Sequence, residues 1–238
     1  TGPAFEGAQI SSGQRAAPGA IERIEINPIT KNQVKAFDSW NEGENLVLAG
    51  SAGTGKTFIA MYLALRSSLE QSTPYHKVIV VRSIVATRDM GYLPGTKEEK
   101  VEPFEAPYKS ICLELFDYDN AAYNKLINSH QMEFITTSFV RGTQLNNAIV
   151  IVDEMQNLNF HELDSVITRI GQNCRVIFSG DYHQSDFKDA LERDGIQRFL
   201  RIVERLKNFS VITFGWDDIV RSGFLRDYIM TKEMLGIK

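Results

Sequence analysis

Eight consecutive residues, Gly50 to Thr57, combine glycines, a lysine and hydroxyl side chains at the spacing of a phosphate-binding loop. An apolar run leads in and a helical pattern follows, which is the strand–loop–helix context that such a loop requires. The glycines let successive backbone N–H groups face one anion, and the lysine reaches the β- and γ-phosphates of a nucleotide. The residues expected to bind the nucleotide are Gly50, Ser51, Ala52, Gly53, Thr54, Gly55, Lys56 and Thr57.

Two carboxylates, Asp153 and Glu154, directly follow a second apolar run, Ala148 to Val152. A phosphate loop needs a partner carboxylate at the end of another buried strand. We expect Thr57 to hold Mg²⁺ together with Asp153, which binds the ion directly or lies just outside its ligands. Glu154 is then placed to polarise the attacking water, so the pair predicts hydrolysis of the nucleotide.

Further side chains complete the predicted catalytic set. Gln184 follows another apolar strand, where its amide can contact the γ-phosphate or the water. The transition state spreads negative charge over the γ-phosphoryl oxygens, which Lys56 and an arginine finger stabilise. Arg221, Arg169 and Arg141 are the candidate fingers, and Arg221 is favoured.

The glutamine at position 33 is the candidate reader of the base. Gln33 lies 17 residues before Gly50 on a predicted helix that Thr30 or Asn32 caps. Its amide offers one acceptor and two donors, enough to read an adenine edge. Taken alone, the same residue is better explained as a solvated glutamine on a helix surface.

Apolar strands alternate with amphipathic helices along most of the chain, which predicts an α/β fold with a mainly parallel sheet and helices on both faces. Residues 1–20 are rich in Gly, Ala, Ser and Pro and read as a flexible N-terminal arm. Residues 21–238 are predicted to form one ATPase domain. The expected strands are a short edge strand at 21–26, followed by 45–49, 78–81, 133–137, 148–152, 175–179 and 209–214.

Residues 84–107 form a long segment that we expect to be irregular and functional. Arg88, Lys97 and Lys100 are candidates for contact with a nucleic-acid backbone, and Tyr92 and Phe104 are candidates for base stacking. The alternative is that this segment serves as a protein interface or as a lid.

Charge and composition limit the class of protein. The 238 residues carry a net charge of −4, so wholesale attraction to nucleic acid is not expected, although a local basic surface remains compatible. The longest apolar runs fall far short of the about 18 residues that a membrane span needs. The two cysteines have no metal or redox spacing, which suits a reducing, cytoplasmic setting without a membrane partner.

Taken together, the motifs resemble the PhoH family over roughly residues 27–230. The family's ATPase domain is similar to the first RecA-like domain of superfamily 1 helicases, where a glutamine matching Gln33 reads adenine. The resemblance implies ATP hydrolysis, a role on nucleic acid and oligomeric rings. The matching segments are Gly50 to Thr57, Leu93-Pro94-Gly95, Glu99-Lys100-Val101, Arg141 to Asn146, Asp153 to Asn157, Gly180-Asp181 with Gln184, and Val220-Arg221.

The resulting hypothesis is a Mg²⁺-dependent, helicase-like ATPase. It couples ATP hydrolysis to binding of single-stranded RNA or DNA, or to translocation along it. Because one RecA-like domain accounts for this chain, we expect the arginine finger to come from within the domain or from a neighbouring subunit. A head-to-tail contact of that kind closes into a ring if the rotation between subunits allows it, so a homo-oligomer, most simply a hexamer, is predicted. Two alternatives stay open: a small-molecule kinase, and a nucleotide-gated assembly module with little turnover.

Overall fold

A computed structural model describes residues 25–51, 53–83, 97–140, 144–181, 190–220 and 223–235. In these residues six strands form one sheet in which every neighbouring pair is parallel. The strands are β1 (Asn45–Gly50), β2 (Lys77–Arg82), β3 (Met132–Thr136), β4 (Ala148–Val152), β5 (Cys174–Gly180) and β6 (Phe209–Phe214). Their order across the sheet is β3-β2-β4-β5-β1-β6.

Helices cover both faces of this sheet and divide the core into two clusters. The helices are α1 (Lys31–Asn41), α2 (Lys56–Ser68), α3 (Lys97–Leu115), α4 (Ala122–Asn128), α5 (Thr137–Val140), α6 (Phe160–Ile167), α7 (Ala190–Val203) and α8 (Gly223–Met234). One cluster packs α1 to α4 on the sheet, and the other packs α5 to α7 on the opposite face. The predicted α/β fold is therefore confirmed.

Burial on both faces explains why the central strands read as uninterrupted apolar runs. In β1, Leu46 and Leu48 belong to one cluster, whereas Val47 and Ala49 belong to the other. All five residues of β4 are buried in the same way. A parallel strand of this kind has no solvent face, so it shows no alternation of polar and apolar residues.

The irregular segment predicted for residues 84–107 is corrected in its second half. Residues 84–96, which include Arg88 and Tyr92, lie outside the described residues. Helix α3 begins at Lys97, although Pro103 and Pro107 each remove one backbone donor from it. Tyr108, Cys112 and Leu115 are buried at helical spacing against the core, so tertiary packing maintains the helix despite the prolines.

Residues 1–24, which contain the predicted flexible arm and most of the expected edge strand, lie outside the described residues. In the part of the chain that is described, no helix combines the length and apolar character that crossing a membrane would need.

Candidate active site

A cavity of about 410 Å³ opens at the carboxyl edge of the sheet, where the segments that follow β1, β4 and β5 converge. This is the edge at which open parallel sheets bind ligands. Helix α3 forms one wall, and the segment that follows β6 completes the lining. The residues that line the whole cavity are Gly53, Thr54, Gly55, Lys56, Thr57, Phe58, Pro107, Ser110, Ile111, Glu114, Asp153, Glu154, Gln156, Ser179, Gly180, Asp181, Asp218 and Val220.

The phosphate-binding loop connects the end of β1 to the start of α2. Gly50 has a φ of +132°, and a Cβ placed there would lie 2.0 Å from the carbonyl oxygen of Phe214. Only glycine satisfies both conditions, because this φ disfavours other residues and the β6 backbone leaves no room. Gly55 also has a positive φ, 78°, and α2 begins directly after it with Lys56. Ala52 lies outside the described residues.

The side chain of Lys56 is held by its own loop. Its Nζ donates to the carbonyl oxygen of Ser51 at 2.5 Å and to Oγ1 of Thr54 at 3.1 Å. Burial lowers the pKa of Lys56, and the nearby carboxylates, led by Asp181 and Glu154, act in the opposite direction. The ammonium group therefore lies inside the loop, beside the acidic groups at the ends of β4 and β5.

Asp153 brings the loop and the end of β4 together. Thr57 Oγ1 donates to Asp153 Oδ1 at 3.0 Å, and the Tyr108 hydroxyl donates to Asp153 Oδ2 at 2.7 Å. The Asp153 carboxylate is buried with only 4% exposure. Burial and the Asp153 charge raise the pKa of Tyr108 far above its usual value, so the phenol stays a donor.

Glu154 follows Asp153 in a left-handed conformation, with a φ of 51°. Gln156 Nε2 donates to its Oε2, and Gln156 Oε1 accepts from the backbone N–H of Asp181 at 2.9 Å. Burial, followed by the charge of Asp153, raises the pKa of the Glu154 carboxyl. Gln156 thus links the predicted base to the end of β5.

Arg82 adds a positive charge that the sequence analysis did not assign to the site. It is the last residue of β2, and its charge acts to lower the pKa of Glu154 against the stronger effect of burial. Its guanidinium carbon lies 5.7 Å from the centroid of the Phe104 ring on α3. The position of Arg82 at the end of a buried strand is the signal that could have found it.

The predicted base-reading residue, Gln33, lies in the first turn of α1. Its Oε1 accepts from the backbone N–H of Ile29 at 2.8 Å and from that of Thr30 at 3.4 Å, and the second bond completes a capping box with Thr30 as the N-cap. Its buried Nε2 has no hydrogen-bond partner among the described residues. The amide acceptor is therefore engaged, and the NH₂ group is what Gln33 has to offer a ligand.

Helix α1 is tied to the cavity through Asp218. Thr30 Oγ1 donates to Asp218 Oδ1 at 2.5 Å, and Asn32 Nδ2 donates to Oδ2 at 2.8 Å. Asp218 is buried and contributes to the cavity lining. Sequence reasoning missed Asp218 because its partners lie more than 180 positions away.

Comparison with known proteins identifies the family. A sequence profile described as "PhoH-like protein" matches residues 25–232. The chain belongs to the PhoH family.

Individual PhoH relatives extend beyond this chain. A PhoH-like protein of Mycobacterium leprae is 29% identical over 205 residues, which covers 86% of this chain but 57% of the relative. Protein PhoH2 of Bacillus subtilis is 36% identical over 169 residues, covering 68% of this chain and 37% of the relative. The chain thus spans about 57% of the length of the mycobacterial protein.

The fold also has a solved counterpart. The large terminase of the thermophilic bacteriophage D6E matches 87% of this chain and 50% of its own length, with a TM-score of 0.52 and 11% identity. At this identity the likeness concerns the fold, which is RecA-like.

The PhoH match covers all four of the remaining predicted site residues, Gln184, Arg221, Arg141 and Arg169. Gln184, Arg221 and Arg141 lie outside the described residues, although Val220, next to Arg221, lines the cavity. Arg169 is described and is not brought to the site. Its carbonyl oxygen accepts from the backbone N–H of Leu145 ahead of β4, at the amino edge of the sheet.

Helix α8 lies against the phosphate loop of this PhoH domain. A Cβ at Gly53 would lie 2.9 Å from Cδ1 of Ile229, and Trp216 Nε1 donates to Glu233 Oε2 at 2.5 Å. The charge of Glu233 also acts on Lys56. Helix α8 therefore borders the phosphate loop without lining the cavity, a contact for which the sequence offers no motif.

Proposed function

We propose that this PhoH domain hydrolyses ATP in the cavity at the carboxyl edge of its sheet, with Mg²⁺ as the metal. One observation carries the proposal: the Thr57 hydroxyl lies 3.0 Å from the Asp153 carboxylate, and Glu154 follows at the same cavity. A hydroxyl and a carboxylate beside a phosphate loop, followed by a second carboxylate, suit phosphoanhydride hydrolysis.

The oxygen atoms present suit Mg²⁺. Thr57 Oγ1 and Asp153 Oδ1 are hard ligands that already lie within hydrogen-bond distance. Mg²⁺ typically takes one or two protein ligands and completes its shell with phosphate oxygens and water, so two side chains suffice. When bound, the ion neutralises charge on the β- and γ-phosphates.

Side chains of this domain are proposed to bind the phosphates, activate the water and recognise the base. Lys56 exchanges its contact with the Ser51 carbonyl for the phosphate oxygens and stabilises their charge. Glu154 orients the attacking water and accepts its proton, and Gln156 holds the Glu154 carboxylate. Gln184 and Arg221 are proposed to contact the γ-phosphate, and the NH₂ group of Gln33 is proposed to donate to adenine.

The proposal includes a homo-oligomer, most simply a hexameric ring. Helix α8, which contacts the phosphate loop, exposes the large side chains of Phe224, Tyr228 and Met234. Apolar surface next to the nucleotide site suits a contact between subunits. Arg169 lies at the amino edge of the sheet, opposite the cavity of its own subunit. It can therefore act as an arginine finger only in the cavity of a neighbouring subunit.

Coupling to single-stranded RNA or DNA is the further part of the proposal, and it rests on the family resemblance. We expect single strands to stimulate hydrolysis, with a stimulation that falls steeply as salt is added because phosphate contacts release counterions. Hydrolysis that single strands leave unchanged at low salt would remove this part and leave the ATPase proposal intact.

Two variants test the hydrolase. Lys56→Ala should lose nucleotide binding, whereas Glu154→Gln should keep binding and release phosphate about 100-fold more slowly or worse, the contribution of a general base. Glu133→Gln is the control, because this carboxylate pairs with Lys77 away from the cavity. Full phosphate release by Glu154→Gln contradicts the assigned role.

The same assay separates the alternatives. A small-molecule kinase would form a phosphorylated product in place of free phosphate. A nucleotide-gated assembly module would keep its function in Glu154→Gln and lose it in Lys56→Ala. The carboxylate pair at the cavity favours the hydrolase over both.

A further inference from the structure

Helix α3 reaches the proposed magnesium carboxylate through one side chain, Tyr108. This residue is fully buried, at 0% exposure, and its hydroxyl donates to Asp153 Oδ2 at 2.7 Å. Its ring packs at a tilt on Phe134 of β3, with the ring centroids 5.7 Å apart. The phenol is therefore fixed by packing and directed at the carboxylate.

The two oxygens of Asp153 have different partners. Oδ1 accepts from Thr57 of the phosphate loop, and Oδ2 accepts from Tyr108 of α3. With both oxygens engaged, the carboxylate cannot rotate without breaking a hydrogen bond in a buried environment, which is costly. Oδ1 is thereby kept on the side of the loop, where the metal is proposed to bind.

The turn of α3 that carries Tyr108 also forms the cavity wall. Pro107, Ser110 and Ile111 line the cavity on either side of Tyr108 in the sequence. A nucleotide that packs against this wall contacts the same helical turn that fixes the carboxylate. Helix α3 thus connects the cavity wall to Asp153 through Tyr108, separately from the contact that Thr57 of the phosphate loop makes.

We propose that Tyr108 is a positioning residue that orients Asp153 for Mg²⁺ and couples metal binding to nucleotide binding. This inference rests on the proposed function. Hydrogen-bond partners of metal ligands fix ligand orientation, and their loss typically costs about 10–100-fold in metal affinity or activity. Tyr108 acts through Asp153 and does not itself contact the nucleotide or the metal.

Tyr108→Phe tests the coupling, because it removes one oxygen and keeps the shape of the ring. The readout is the affinity for ADP measured in EDTA and again in Mg²⁺. We expect Mg²⁺ to strengthen ADP binding in the wild-type chain, and Tyr108→Phe to reduce this strengthening about tenfold or more. Affinity in EDTA should stay at the wild-type level.

Tyr123→Phe is the matched control. Tyr123 is another buried tyrosine, which lies on α4 and contacts Lys109 of α3 with 5.6 Å from the ammonium to the ring centroid. It does not contribute to the cavity lining. This variant should retain the full effect of Mg²⁺ on ADP affinity.

A second pair of variants asks whether Tyr108 acts through Asp153. In an Asp153→Ala background, Tyr108→Phe should change the effect of Mg²⁺ no further, because the Tyr108 hydroxyl then has no carboxylate to orient. An undiminished additional loss in that background overturns the proposal. So does a folded Tyr108→Phe chain whose Mg²⁺ dependence equals that of the wild type.

A measurement that keeps the hydroxyl guards against a folding defect in Tyr108→Phe. With 3-fluorotyrosine at position 108, the fluorine resonance of the ADP-bound protein should shift when Mg²⁺ is added. The same label at position 123 should not shift, and an unmoved signal at 108 contradicts the inference. If Mg²⁺ leaves ADP affinity of the wild-type chain unchanged, the proposed function itself fails and the inference fails with it.

Discussion

At the residue scale, the end of β5 is shaped by a close approach to Gln156. A Cβ on Gly180 would lie 2.3 Å from Oε1 of Gln156 and 2.9 Å from the backbone nitrogen of Met155. Glycine at this position is what allows the Gln156 amide to reach Asp181 and Glu154 together. The orientation of the proposed base therefore depends on a residue with no side chain.

Gly180→Ala should displace the turn that carries Gln156. We expect the free energy of unfolding to fall by about 1–3 kcal/mol, the usual cost of overpacking. Hydrolysis should fall more than nucleotide affinity, because Glu154 loses its partner while the phosphate loop is unchanged. Denaturant unfolding and phosphate release measure the two effects.

Gly215→Ala provides the matched control for this substitution. A Cβ at Gly215 would meet no atom within 4 Å, so both stability and hydrolysis should stay at wild-type levels. If Gly180→Ala and Gly215→Ala have the same free energy of unfolding and the same rate of hydrolysis, the contact between position 180 and Gln156 contributes to neither property.

At the element scale, the start of α1 serves both the helix and the site. Thr30 caps α1 by accepting from the backbone N–H of Gln33 at 3.2 Å, and the same hydroxyl donates to Asp218 at the cavity. Asn159 caps α6 with an equivalent capping box. Asn159 and its partner Glu162 are absent from the cavity lining, so the two helices offer a comparison.

Thr30→Ala should lower the free energy of unfolding by about 1 kcal/mol for the lost cap. It should also weaken nucleotide binding, because Asp218 loses one of its donors. Asn159→Ala should show the loss of stability alone, and Thr30→Ser should restore both properties since it keeps the oxygen. Urea unfolding and ADP titration of these variants check the pattern.

At the scale of the whole molecule, the positions of Arg169 and Arg221 decide which of them can act as an arginine finger within its own subunit. Arg169 lies at the amino edge of the sheet, a strand length or roughly 17–20 Å from the cavity edge. A finger role for Arg169 therefore requires a second subunit. Arg221 follows the cavity residue Val220 and remains the favoured candidate.

We expect the protein to form an oligomer with ATP and Mg²⁺, and mixing variants should show whether Arg221 acts between subunits. Arg221→Ala and Lys56→Ala chains should each be inactive alone. Mixed together, they should regain part of the hydrolysis, because some interfaces then combine an intact loop with an intact arginine. A monomer that hydrolyses ATP at full rate contradicts the oligomeric proposal, as sizing under turnover would reveal.

Much of the fold follows from local sequence patterns. The strands β1, β2 and β4 were predicted closely, because strands buried on both faces read as apolar runs bounded by polar residues. Thr30, one of the two candidate N-caps that the sequence offers for α1, is the residue that caps this helix. Helix α3 was not predicted in full, because its prolines oppose helix locally while packing favours it.

The sequence by itself placed the phosphate loop and the Asp153–Glu154 pair, since parallel strands present their carboxyl ends at one edge whatever their order. Only the tertiary structure decided the strand order and the contacts that depend on it. These include Tyr108 on Asp153, Asp218 on Thr30, and Ile229 over the loop. Such contacts join residues far apart in the chain, and they are set by how helices pack on the sheet, which no local spacing encodes.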